Sequence, residues 1–336
     1  MKIGILGAGL IANKMGYTLS KMEDVTCCAV GARDKKRAEE FAKKHGFQKA
    51  YGSYEELVQD DEVELIYIAT PHSYHFEHAK LCLNHGKPVL CEKAFMANAE
   101  QAEEIFRLSE EKHVFITEAI WTRYMPSRKI IDDIIAKGEI GEVTSVTANL
   151  GYDIQDVPRL TDPMLAGGAL LDVGIYPLTF ASMILGNDIE EIQSCCVKGE
   201  TGVDVQNSII LKYKNGTLAT LHSGMLAATE QYGIVYGTKG YLIAENINNV
   251  NKVKIYTPEP KVEKNGDVPE QIKRIVKEID MPEQITGFED QVRASMEAIH
   301  NGAIECTQIP HAESLQMMKV MDELRHQWNI VYPFEC

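Results

Sequence analysis

The chain opens with MKIGILGAGLIA. A short apolar stretch, residues 3–6, runs straight into Gly7-Ala8-Gly9-Leu10-Ile11-Ala12. This is the G-x-G-x-x-G/A spacing of the turn between the first strand and first helix of a dinucleotide-binding βαβ unit. Gly7 permits the tight turn, Gly9 lets backbone approach a pyrophosphate, and Ala12 lets the helix pack close to the strand. The unpaired N–H groups of that helix start, with the positive end of its dipole, then face the phosphates. Gly7, Gly9, Leu10 and Ile11 are the candidate phosphate-loop residues. The competing reading is a glycine turn in another α/β protein, but the preceding strand, the amphipathic segment 14–22 and a second strand at 25–32 supply the context the motif needs.

The alternation continues to about residue 120. Strands are predicted at 3–6, 25–32, 65–69, 89–91 and 114–117. Helices are predicted at 12–21, 35–45, 54–59, 73–84 and 99–112. Short apolar strands separated by amphipathic helices imply a doubly wound parallel sheet of the Rossmann type. Beyond residue 120 the period changes. After a helix at 127–137 come longer alternating segments at 142–150, 206–213, 217–224, 231–236 and 240–245. Asn215-Gly216 marks a hairpin between two of them. A C-terminal α+β domain with a large, mostly antiparallel open sheet is expected. Residues 257–284 read as an exposed excursion, followed by helices at 283–301 and 311–328. The 336-residue length favours two domains, 1–120 for the dinucleotide and 121–336 for substrate binding and dimerisation. An antiparallel sheet with helices on one side must cover or pair its other side, so a homodimer or higher homo-oligomer through that face is expected.

A net charge of −15 argues against nucleic acid or an anionic membrane as a partner. No apolar run of transmembrane length and no signal peptide is read in the sequence, and the expected location is cytoplasmic. The eight cysteines include no C-x-x-C and read as free, mostly buried thiols. His75 and His78 share a helical face, but no carboxylate–histidine pattern accompanies them, and no metal is expected.

The second strand ends Val30-Gly31-Ala32-Arg33-Asp34. A carboxylate at the strand tip would hold a ribose 2′-hydroxyl. Here the tip is Gly31-Ala32, with Arg33 and Arg37 close behind. An arginine at this point can stack on adenine and pair with a 2′-phosphate, so NADP is expected in preference to NAD. Asp34 can either cap the helix or contact the ribose. Thr70-Pro71-His72 and Glu92-Lys93 fall at strand ends on the carboxyl edge, where ligands of this architecture sit. Lys93 can hold a substrate hydroxyl or share its proton. Asp172 and Tyr176, four apart in GGALLDVGIYP, share a face if the segment is helical. Tyr176 as a proton donor or acceptor needs a nearby cation such as Lys93. On its own it reads more readily as a structural tyrosine than as a catalytic one. In EAIWTRYMP, Trp121 can wall a pocket and Arg123 can orient a cofactor or substrate group, or both serve interdomain packing with an Arg–Glu pair.

Together GAGLIA, ARD at 32–34, YGSYEEL at 51–57, GKPVLCEK at 86–93, EAIWTRYMP at 118–126, GGALLDVGIYP at 167–177 and GTKG at 237–240 resemble the glucose-fructose oxidoreductase, inositol 2-dehydrogenase and rhizopine-catabolism (Gfo/Idh/MocA) family. The likeness spans nearly the whole chain. Within the family it is similar to the branch of dimeric dihydrodiol dehydrogenases and NADP-linked D-xylose 1-dehydrogenases. The resemblance implies an NADP-dependent oxidoreductase whose catalytic residues are Lys93, Tyr176 and Asp172. It implies cofactor contacts at Gly7, Gly9, Leu10, Ile11, Arg33, Arg37, Thr70, Pro71, His75, Glu92, Lys93 and Arg123, and substrate contacts at Trp121, Lys93 and Tyr176. The family's Glu-Lys-Pro is Glu92-Lys93-Ala94 here. A trans or strained peptide is therefore expected at Ala94, with Lys93 placed differently and turnover rather than cofactor binding affected.

The expected activity is hydride transfer between a nicotinamide and a secondary alcohol or hemiacetal carbon of a sugar, polyol or cyclic diol. A non-catalytic NAD(P)-binding sensor and an NAD-dependent glycosidase on the same fold are the alternatives.

Overall fold

The structure is a computed structural model describing residues 1–258 and 273–335. Its chain forms two compact units: Met1–Tyr124 with Pro158–Asp172 and Gln284–Cys336, and Met125–Val157 with Val173–Glu283. The sequence reading draws a single boundary at residue 120, whereas the chain contributes three separate segments to the first unit.

The first unit holds a six-stranded sheet in the order β3-β2-β1-β4-β5-β6. Its strands are β1 (Lys2–Leu6), β2 (Thr26–Gly31), β3 (Lys49–Tyr51), β4 (Leu65–Ile68), β5 (Val89–Glu92) and β6 (Ile116–Ala119). All neighbouring pairs are parallel. This is the doubly wound order, and its topological switch point lies between β1 and β4. The strands are buried on both faces because helices cover them. The helices are α1 (Leu10–Lys21), α2 (Lys35–His45), α3 (Tyr54–Val58), α4 (His75–Asn84) and α5 (Ala99–Lys112). β6 starts two residues later than the sequence predicts. His113 adopts a left-handed conformation at the end of α5, and Val114 N–H still bonds back to the Ser109 carbonyl, so the helix end occupies the predicted strand start.

Two late helices complete this unit, α9 (Glu289–His300) and α10 (His311–Gln327). α10 docks beside α5. The Ala99 N–H donates to Asp322 at 2.7 Å, and Met317, Met318, Met321 and Leu324 are buried.

The second unit holds an eight-stranded sheet in the order β14-β13-β12-β11-β7-β10-β9-β8. In chain order the strands are β7 (Val143–Gly151), β8 (Ile189–Lys198), β9 (Asp204–Tyr213), β10 (Leu218–Gly224), β11 (Gly233–Gly237), β12 (Gly240–Glu245), β13 (Lys252–Pro258) and β14 (Lys273–Asp280). Only β7 and β10 pair in parallel, so the sheet is mostly antiparallel, as the alternation predicts. The Asn215-Gly216 turn joins β9 to β10, with Asn215 Oδ1 accepting from the Thr217 N–H at 3.0 Å. The helices of this stretch are α6 (Pro126–Ala136) and α8 (Ile175–Leu185), with the short α7 (Pro158–Thr161) in the first unit. α8 lies against the sheet. A Cβ built on Gly233 would come within 2.5 Å of the Phe180 ring. The other face carries exposed Val197, Ile210 and Leu218 and a ladder of Tyr236, Tyr241 and Tyr256.

Two expectations need correction. The exposed excursion at 257–284 contains β14, an edge strand whose alternation is hidden among charges in KRIVKEID; its residues 259–272 lie outside the described residues. Pro163–Leu185 is long and apolar enough by composition to cross a membrane, with a mean hydropathy of 1.6 over its best window. Its glycines and Asp172 interrupt the apolar run and hide this in the sequence. That window is 83% buried inside the protein, which makes it a core segment.

Candidate active site

In a parallel sheet every strand end of one kind lies on one edge. The ends of β1, β2, β4 and β5 therefore bring Gly7, Arg33, Thr70 and Lys93 to the same carboxyl edge.

The glycine loop divides its work between two residues. Gly7 has φ +107, and an added Cβ would sit 3.0 Å from the Ala69 carbonyl oxygen, so the tight turn itself requires glycine. A Cβ on Gly9 would meet nothing within 4 Å. Open space therefore lies beside Gly9. Gly9 caps α1 without any side-chain bond, and the first turn has no acidic residue, so no side chain caps the N–H groups at this helix start. Leu10 is 90% exposed and Ile11 half-buried at the same point. These features fit a dinucleotide pyrophosphate.

At the end of β2, Asp34 caps α2, its carboxylate accepting from the Lys36 N–H at 2.9 Å. Arg33 is exposed beside it. Arg37 reaches back instead and donates from Nε and Nη2 to the Ala8 carbonyl at 3.2 and 2.9 Å, bracing the glycine loop. Thr70 bonds His78 Nδ1 through its hydroxyl at 3.0 Å, and Pro71 leads into a short 3-10 turn, His72–Tyr74. The His78 ring contacts Tyr54 and Tyr74 at centroid distances of 4.6 and 5.9 Å, an aromatic group that sequence reasoning missed although YGSYEEL contains its first member. Burial, then the neighbouring His75, lowers the His78 pKa to about 4, so this wall is uncharged at neutral pH.

Lys93 follows β5. Its Nζ donates to the Asp172 carbonyl at 2.7 Å and lies 3.3 Å from Asp172 Oδ1. Arg159, which nothing in the sequence singles out, donates from Nη2 to the same Oδ1 at 3.0 Å. Burial pushes the Asp172 carboxyl up, but Lys93 and Arg159 outweigh it and hold the group well below the usual carboxylate range. One ionised carboxylate thus orients two cations. His72 stands nearby with Nδ1 3.2 Å from the Ala166 carbonyl, and burial, then His75, lowers its pKa to about 3.

The Lys93–Ala94 peptide is cis, where the sequence reading gives a trans or strained bond. Several backbone groups around it are bonded to buried side chains. Lys93 N–H donates to Glu92 at 3.2 Å, and Phe95 N–H donates to Glu118 at 3.1 Å. His75 Nδ1 faces the Ala94 and Phe95 carbonyls at 3.0 and 3.2 Å, while its Nε2 lies 2.8 Å from the Thr70 carbonyl. His75 is fully buried. It ties the Thr70 turn to the Lys93 turn, both ring nitrogens facing backbone. Glu92 also points inward, bonded to the Tyr67 hydroxyl. Burial raises its pKa.

Trp121 and Arg123 occupy a 3-10 turn after β6. The Trp121 ring meets Phe288 edge-on at 4.8 Å, and the Lys14 ammonium stands 4.0 Å from the Trp121 centroid and 4.2 Å from that of Phe288. Arg123 is buried and ion-paired with Glu313 of α10, the Arg–Glu partnership anticipated as one of its two readings. Asp172 lies in a π-helical turn, Leu170–Gly174, that runs directly into α8, where Tyr176 is buried. Such turns are frequent at functional positions. The segment is helical, as the shared-face expectation requires.

A family model described as an oxidoreductase family with an NAD-binding Rossmann fold matches residues 1–119, and that of the GFO/IDH/MocA C-terminal domain matches residues 129–243. The chain belongs to the GFO/IDH/MocA family. It is accordingly an oxidoreductase with an NAD(P)-binding Rossmann domain. Trans-1,2-dihydrobenzene-1,2-diol dehydrogenase of Mus musculus is 35% identical to it over 99% of this chain and 98% of that protein. The enzyme of the same name from Bos taurus is 41% identical over 71% of this chain and 72% of that protein. Among solved structures, a 3-ketoreductase from Actinomadura kijaniata in complex with NADP and TDP-benzene shares the fold at a TM-score of 0.84, with 23% identity and 97% of each chain covered. A levoglucosan dehydrogenase in complex with NADH and L-sorbose does so at 0.81, with 16% identity, covering 98% of this chain and 96% of that one.

Proposed function

We propose that this family member is an NADP-dependent dehydrogenase or reductase acting on a secondary alcohol or hemiacetal carbon of a sugar, polyol or cyclic diol. The observation that carries the reading is the Lys93 ammonium fixed on Asp172 at the carboxyl edge of the sheet, the edge that also holds the Gly7–Gly9 turn. Full-length relatives named for diol dehydrogenation support the substrate class.

When bound, the nicotinamide accepts or supplies the hydride. Lys93 holds the reacting hydroxyl and its proton. Asp172 fixes the direction of that ammonium and keeps its charge balanced. Tyr176 gives or takes the proton of the reacting oxygen, which requires a cation to bring a phenol of ordinary pKa ~10 into range. Trp121 bounds the substrate side and Arg123 steadies the turn that carries it. NADP is favoured because Asp34 is engaged as a helix cap, leaving the exposed Arg33 to meet a 2′-phosphate. The exposed apolar and tyrosine-bearing face of the second sheet supports a homodimer, which sedimentation would reveal as a mass of two chains; a monomer at micromolar concentration would contradict it.

The test is a panel of sugars, polyols and cyclic diols mixed with the enzyme and either NADP or NAD, followed by the absorbance of the reduced nicotinamide. Reduction by a vicinal diol or sugar, faster with NADP, is expected. Tight cofactor binding with no reduction by any member of the panel would contradict the reading.

A further inference from the structure

The three residues 93–95 attract an unusual concentration of buried ionisable groups. Glu92, His75 and Glu118 are 5%, 0% and 3% exposed, and each directs polar atoms at this backbone. Burying a carboxylate in an apolar sheet edge is costly unless it is fully bonded. A peptide N–H inside a protein can be satisfied by any carbonyl, so simple core filling does not call for glutamate. Glu118 is nonetheless held for this task from both ends. Oε1 accepts from Phe95 N–H at 3.1 Å, and Oε2 accepts from the Ser314 hydroxyl of α10 at 2.7 Å. His75 holds the Ala94 and Phe95 carbonyls from the α4 side.

We infer that Glu118, with His75 as its counterpart, is a positioning residue that sets the placement of the Lys93 ammonium. Neither side chain touches the reacting atoms under the reading above. Each fixes the peptide units that immediately follow Lys93, so the lysine leaves the backbone in one direction only, toward Asp172. The inference rests on the proposed role of Lys93 for its catalytic consequence, but the placement itself can be measured without turnover.

The experiment compares wild type, Glu118→Ala, Glu118→Gln, Ser314→Ala and Lys93→Met. It reads kcat and KM on the best diol, the Kd for NADP, and trace acetylation of Lys93 by peptide mass. Displacing a reacting group by about 1 Å costs on the order of 100-fold. Glu118→Ala should therefore lower kcat about 100-fold, leave KM and Kd within about twofold, and raise Lys93 acetylation as the ammonium leaves Asp172. Glu118→Gln keeps an acceptor for Phe95 and replaces the acceptor of the Ser314 hydroxyl by an amide donor to Ser314 Oγ, and should restore kcat to within a fewfold and acetylation to the wild-type level. Should Glu118→Ala fail to fold, Ser314→Ala frees one end of the carboxylate and should show the same pattern at smaller amplitude. A folded Glu118→Ala or Ser314→Ala protein with unchanged acetylation and kcat, or a Glu118→Gln protein as impaired as Glu118→Ala, would overturn the inference. Full activity in Lys93→Met would instead overturn the proton role given to Lys93, leaving the acetylation pattern to decide the placement.

Discussion

Lys93 Nζ stands 2.7 Å from the Asp172 carbonyl oxygen and 3.3 Å from the Asp172 carboxylate. Seventy-nine residues separate the two in the chain, and each is nearly buried, at 12% and 9% side-chain exposure. A contact between two charges so distant in sequence and so little solvated is specific. Arg159 shares the same carboxylate oxygen, so removing Asp172 leaves two neighbouring cations without their common partner.

The glycine loop yields a paired prediction. Gly9→Ala adds a methyl group where no protein atom lies within 4 Å, so thermal stability should hold while NADP affinity falls at least about tenfold. Gly7→Ala forces a side chain onto φ +107 against the Ala69 carbonyl. It should destabilise the fold by about 1–3 kcal/mol. Calorimetric melting and cofactor titration of both variants separate the effects.

Arg33→Ala should weaken NADP binding about tenfold to a hundredfold and leave NAD binding nearly unchanged, because Asp34 remains engaged at the cap. Titration of the intrinsic tryptophan fluorescence with each cofactor checks this. Equal losses for both would remove the 2′-phosphate role.

Tyr176→Phe deletes only the hydroxyl. We expect kcat to fall by about 10²–10⁴, with cofactor affinity unchanged. Full activity on the best substrate would remove Tyr176 from the proton path.

Much of this could be read from the residues alone, and the remainder shows where sequence reasoning stops. The glycine turn, the alternating first half and the Asn215-Gly216 hairpin carry their geometry locally, because turn chemistry and hydrophobic period act over a few residues. β14 is an edge strand whose charges read as part of an exposed excursion, and β8, at the other edge, is not among the segments that alternation picks out. Arg159 and Glu118 owe their roles to contacts with residues 13 and 23 or more positions away, for which no local spacing gives a sign. Arg37 looks like a phosphate ligand in sequence, yet its guanidinium braces the Ala8 carbonyl. The cis peptide at Ala94 also lay beyond the residue type.

The buried titratable groups predict opposing pH trends. Burial raises Glu118 from its ordinary 4.5 to about 7, so the folded chain retains a proton that the unfolded chain releases. Its contribution is full below about pH 4 and is lost as pH rises to about 7. Glu118→Gln should flatten that decline, whose slope is at most about 1.4 kcal/mol for each step of one in pH. His72 acts the other way. With a folded pKa of about 3 against the ordinary 6.5, it lowers stability as pH falls from about 6.5 toward 3. Asp172, held below its ordinary 3.8, adds to the acid loss, its contribution being full above about pH 4. Urea unfolding of wild type and Glu118→Gln from about pH 4 to 8, and of wild type and Asp172→Asn from about pH 2 to 5, separates these contributions.

The most direct test is a single-turnover measurement on Lys93→Met, with NADP saturating and the best diol or sugar in excess, following the reduced nicotinamide. The account predicts NADP affinity within about twofold of wild type and a reduction rate lower by about 10²–10⁴. A reduction rate equal to wild type would contradict it.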